Sequence, residues 1–120
     1  MASNLVVKLT TAQDAPERTA QALTVAATAV ASGVAVSLWL TGDAVWFVVP
    51  GREPALELPY SQPMSDLIDT VAAGGMITAC TQCVARRDLT QTDLRSQVRI
   101  AGAASFIEEA MAPDTQALVY

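Results

Sequence analysis

The sequence predicts a three-layer α/β/α domain, with helices on both faces of a parallel sheet. Three observations carry this. Strand-like runs alternate with helical patterns along the whole chain. The run at 34–40 is apolar at most positions, as in a strand covered on both sides. The 120 residues, 52% apolar and 16% charged, suffice for one core and exclude intrinsic disorder. No repeat, low-complexity tract or linker interrupts the pattern, so residues 1–120 read as a single domain.

Leu5 to Thr10 reads as the first strand. A helix follows: Asp14 is placed to cap it, Pro16 is tolerated in the first turn, and Glu17 stands at the capping-box position. It runs to about Ser32, with Gly33 just beyond its end, and its face is largely alanine. Val34–Leu40 is the second strand and Thr41-Gly42-Asp43 the turn after it. Ala44–Val49 is too apolar for a surface loop and reads as a short helical turn, and the prolines at 50, 54 and 59 make a loop. Pro63 starts a helix with Met64, Leu67, Ile68 and Val71 on one face, and Gly74-Gly75 stops it. Met76–Ala79 is the third strand, with Cys80 at its C-terminal end. Residues 81–88 read as the first turns of a helix, Thr90–Asp93 as another short one, and 99–101 as a fourth short strand. A last helix around Ala103–Ala110 is closed by Pro113, and Gln116–Tyr120 forms a final strand.

Composition removes several functions. A net charge of −5 disfavours nucleic acid as a partner. The absence of histidine removes every Ser-His-Asp and Cys-His catalytic arrangement and every His-ligated metal or haem. Catalysis must therefore use cysteine, carboxylates, Lys8, tyrosine or backbone groups. The uncharged stretch from Thr19 to Gly42 is long enough to span a bilayer, but it is rich in Ala, Thr and Ser and broken by Gly33, so no membrane span is expected. Met1-Ala2-Ser3-Asn4 carries no basic leader region, and a cytoplasmic location is expected.

In parallel sheets, reactive groups gather beyond the C-terminal strand ends. The edge after the first strand has no glycine, which excludes the dinucleotide fingerprint and the P-loop. The edge after the third strand is Cys80-Thr81-Gln82-Cys83. Helical spacing puts both cysteines on one face, with Cys80 at a helix start that favours a thiolate. Arg86, Arg87, Arg95 and Arg99, set against Asp88 and Asp93, make the 86–99 segment locally positive. Arg86 and Arg87 are the candidate thiolate-stabilising or substrate-binding pair. Other readings stand beside this one: a non-catalytic oligomeric binding or scaffold module whose buried cysteines are structural, a CxxC dithiol redox protein, or a zinc site completed by a second subunit. The arginines also read as a solvated helix face, and Trp39, Trp46 and Phe47 as core or subunit interface.

These pieces in this order resemble the DsrE/DsrF-like family. The resemblance rests on the opening strand, the alanine-rich helix ending at Gly33, and the Trp39–Val45 turn. It continues through Gly74–Cys80 followed by Arg86-Arg87, then Gly102-Ala103 and the closing strand. It implies a five-stranded parallel sheet in the order 4-3-2-1-5. It also implies a sulfur carrier or sulfurtransferase, with a persulfide on Cys80 and no cofactor or metal. Cys83 matches a second cysteine present in some members and would resolve the persulfide. Asp88 stands where the family often has glycine. The implied partners are a sulfur donor, a sulfur acceptor and further copies of the chain, as a homo-oligomeric trimer or hexamer. The low charge fraction agrees with such a subunit, and the apolar segment Ala44–Val49 is the expected contact.

Overall fold

The computed structural model describes residues 3–120; Met1 and Ala2 of the opening segment lie outside the described residues. Strand β1 (Asn4–Leu9) is followed by α1 (Pro16–Ala31), β2 (Ala35–Leu40) and a 3-10 helix at Gly42–Val48. Then come α2 (Met64–Gly74), β3 (Met76–Cys80), α3 (Thr81–Arg86) and a short 3-10 turn at Gln91–Asp93. The chain closes with β4 (Arg99–Ala101), α4 (Ala103–Ala110) and β5 (Thr115–Val119). All pairings are parallel and the strand order is 4-3-2-1-5.

The topology determines which face is covered. From β1 through β4 the chain steps across the sheet in one direction, so right-handed crossovers keep α1 and α2 on one face. The step from β4 to β5 reverses direction and puts α4 alone on the other. On the α1–α2 face, Val7, Leu9, Val36, Leu38, Leu40, Ile77 and Ala79 join Leu23, Ala26, Leu67, Ile68 and Val71 in the core. The alanine face of α1 permits this close packing. At its end, Gly33 (φ +84°) donates to the Val30 carbonyl and Val34 to that of Ala29, closing the last turn as expected. Gly75 lies so near β2 that a Cβ there would meet the Val36 carbonyl oxygen at 2.9 Å.

Two expectations are corrected. Asp14 does not cap α1: it precedes the Ala15 cap position, and its Oδ1 accepts the Ala12 N–H at 2.8 Å, bracing the turn before the helix. The segment Ala44–Val49 is helical as expected but is not a free apolar surface. Ala44, Val45, Phe47, Val48 and Val49 are all buried within their own chain, and half-buried Trp46 lies under the Arg52 guanidinium at 4.2 Å. The reason is tertiary. The 3-10 helix crosses the C-terminal sheet edge, where α2, α3 and the ends of β2 and β3 surround it.

The α4 face is only partly covered. One helix of eight residues serves five strands, and none of those residues is fully buried. Met76, Ile107, Met111 and Val119 are exposed large apolar side chains. No helix among the described residues is long and apolar enough to cross a membrane; the uncharged stretch from Thr19 divides into α1 and β2.

Candidate functional site

Cys80 is the last residue of β3, paired with Ala101, and its extended backbone leads straight into α3. Strand alternation points its side chain to the α4 face, the side shared by Lys8, Trp39, Thr78 and Arg99. Cys83, one turn along α3, is buried against the core, and its sulfur accepts the Gly42 N–H at 3.1 Å. That donor depends on glycine. Gly42 has φ +56°, and a Cβ on it would meet the Thr10 carbonyl oxygen at 3.0 Å.

The two thiols differ electrostatically. Burial pushes the Cys80 thiol up. The backbone N–H of Cys83, the Cys83 thiol, the Gln82 N–H and the charge of Lys8 together outweigh this and hold it below its ordinary value. For Cys83, burial dominates and raises the pKa, with Cys80 adding to the rise and Gly42 N–H and Arg87 opposing it. The shifts run in opposite directions, so Cys80 is the thiol of the two that ionises more readily. The free Cys80 thiol donates to the Gln82 Oε1 at 3.5 Å.

The arginines occupy different settings. Arg87 donates through Nη2 and Nε to Asp43 Oδ1 at 2.8 and 3.3 Å, and through Nη1 to the Cys83 carbonyl at 3.1 Å. It ties α3 to the 3-10 helix and bears on Cys83 rather than Cys80. Arg86 is exposed at the far end of α3. Arg95 pairs with Asp69 at 3.0 Å.

Sequence reasoning missed the cluster under α4. Glu109 Oε1 accepts Ser37 Oγ at 2.6 Å and Trp39 Nε1 at 3.1 Å, and Oε2 pairs with Arg99. Arg99 also stacks over Trp39 and donates through Nε to Thr78 Oγ1 at 3.0 Å. Burial pushes Glu109 up, but its bonds from Ser37, Arg99 and Trp39 prevail and hold it below the usual carboxylate range. Phe106 meets Trp39 edge-on at 5.4 Å, and Lys8 Nζ lies 4.9 Å from the Phe106 ring centre. The available signal was Lys8 itself, the only lysine in the chain, interrupting an otherwise apolar internal strand. Two clefts lie elsewhere, one along α1 beside Tyr60 and Tyr120 and one under the proline-rich loop. Cys80 lines neither of them.

A match to the DsrE/DsrF-like family spans residues 4–114. The chain belongs to the DsrE/DsrF-like family. Among solved structures it is similar to the YchN protein from E. coli, with a TM-score of 0.80 at 18% identity over 98% of this chain and 99% of that one. A protein of unknown function from Methanobacterium thermoautotrophicum gives a TM-score of 0.72 at 12% identity, covering 98% of both chains. Another, from Bacteroides thetaiotaomicron, gives 0.67 at 15%, covering 98% of this chain and 95% of that one. These likenesses establish the DsrE-like fold. No curated protein matches the sequence.

Proposed function

We propose that this DsrE/DsrF-like chain is a sulfur carrier with Cys80 as its persulfide-bearing residue. The observation that supports it best is the asymmetry of the two thiols: Cys80 is partly open with a lowered pKa, and Cys83 is buried with a raised one. In the loading step the Cys80 thiolate attacks the terminal sulfur of a donor persulfide. The Sγ–S bond forms, the donor S–S bond breaks, and its electron pair leaves with the donor thiolate. No outside oxidant or reductant is needed, and the reverse attack by an acceptor thiolate unloads the sulfur. In a second role Cys83 gives its proton to the outer sulfur of the loaded persulfide and its thiolate attacks the Cys80 sulfur: the Cys80–Cys83 disulfide bond forms, the persulfide S–S bond breaks, and the outer sulfur leaves as hydrosulfide. Intact mass after incubation with a sulfane-sulfur donor tests the reading. A gain of about one sulfur atom is expected on wild type, absent in Cys80→Ser and kept in Cys83→Ser. Equal, slow alkylation of both cysteines would favour a structural pair. Stoichiometric zinc in the purified protein would favour a shared metal site.

We also propose that the working form is a homo-oligomer, a trimer or hexamer. The support is the α4 face, since parallel sheets are ordinarily covered on both sides. Light scattering at micromolar protein tests it: a 12.6 kDa species would overturn it, and Ile107→Glu is expected to weaken assembly where Trp46→Glu does not.

A further inference from the structure

Lys8 is a half-buried cation without a carboxylate. Among the described residues it takes part in no salt bridge and its ammonium in no hydrogen bond; the ammonium rests only on the Phe106 ring. The other charged groups on the elements around Cys80 are paired or exposed. Arg87 of α3 is held by Asp43, Arg99 of β4 by Glu109 of α4, and Arg86 and Glu108 are exposed at the surface. At the end of β5 the Tyr120 main-chain oxygen is taken by the Thr10 hydroxyl.

Lys8 is in register with Trp39 and, through it, with Thr78, two residues before Cys80 on the same face. Helix α4 begins two residues after Cys80's partner Ala101, and its Phe106 carries the Lys8 head. An ammonium without a salt bridge, its aromatic rest and the thiol therefore lie on one face of the sheet, with Lys8 two strands from Cys80 and level with Thr78.

We propose that Lys8 is the specificity-determining cation of the Cys80 site, receiving the negative end of a small anionic ligand as it approaches the thiol. The reading that Cys80 carries sulfur makes that ligand an anionic sulfane-sulfur compound, and the same charge then faces the Cys80 persulfide anion. The electrostatic support is consistent, because the Lys8 charge is among the influences that lower the Cys80 pKa.

The test compares two alkylating probes of similar size, anionic iodoacetate and neutral iodoacetamide, on the Cys80 thiol of the whole chain across pH. Relative to a free thiol, wild type is expected to favour iodoacetate by about three- to tenfold, the scale of one unscreened charge near a surface site. Lys8→Met keeps the apolar stem over Phe106 and is expected to lose that preference and to move the rate profile to higher pH. Lys8→Arg is expected to restore both. A purely structural lysine would change both probes alike, so an unchanged ratio in Lys8→Met overturns the proposal. Because alkylation needs no sulfur transfer, the readings fail separately. A Lys8-dependent anion preference without retained sulfur upholds the anion site and overturns its sulfane-sulfur ligand.

Discussion

Replacing Glu109 with alanine should loosen the helix that carries Phe106, and through it the Lys8 head. The carboxylate holds α4 to β2 and β4 by accepting from Ser37, Trp39 and Arg99. Trp39 is 2% exposed, so its indole N–H would lose its partner where water reaches poorly; one unsatisfied buried donor costs about 1–3 kcal/mol. Ser37 is half-buried and Arg99 is 39% exposed, so they add roughly 1 kcal/mol together after solvent screening. The sum is about 2–4 kcal/mol. For a chain of this length the unfolding entropy is about 0.25 kcal/mol/K, so Tm should fall by about 8–16 °C. Calorimetry with a urea titration measures both quantities. The pH dependence has a definite sign. A carboxylate held below its unfolded value stabilises above that value and loses its contribution as pH falls through the folded pKa. The gap between wild type and Glu109→Ala should therefore be full near neutrality and close from the ordinary glutamate range downward. A variant within about 0.5 kcal/mol of wild type at pH 7, or a gap that widens in acid, would refute the account.

Phe47→Ala should cost about 3–5 kcal/mol in urea unfolding, because Phe47 lies in the chain's own core; dissociation of an assembly with unchanged Tm would restore it to an interface. Gly42→Ala should destabilise by roughly 1–2 kcal/mol, since the position is left-handed and crowded by Thr10; a neutral result by thermal melt would show that the turn relaxes freely. Cys83→Ala removes a donor to Cys80, so the alkylation profile of Cys80 should move to higher pH, and a profile that stays put would show that Cys83 does not support the thiolate.

The elements that depend on local chemistry were legible in the sequence. Apolar runs and helical spacing marked the strands and α2, and Gly33 ended α1 where only a positive φ closes the turn. Cys80 was readable as a strand-end thiol because that position follows from the strand boundary alone. The strand order came from resemblance, since spacing within one chain does not say which strands are neighbours. Tertiary structure decided the rest, because it turns on which surfaces meet. Asp14 was one residue too early to cap, and only the folded turn shows its carboxylate closing on Ala12. The 44–49 segment read as a subunit contact, whereas the sheet end, α2 and α3 of its own chain enclose it. Arg87 read as a partner of the thiols and Arg99 as part of a locally positive segment; Asp43 and Glu109 bind them from distant elements. Lys8, seventy-two residues from Cys80 in sequence, comes onto its face because parallel pairing stacks β1, β2 and β3 in register. Charge acts through space, and the pairing of distant elements decides which charges remain free to act.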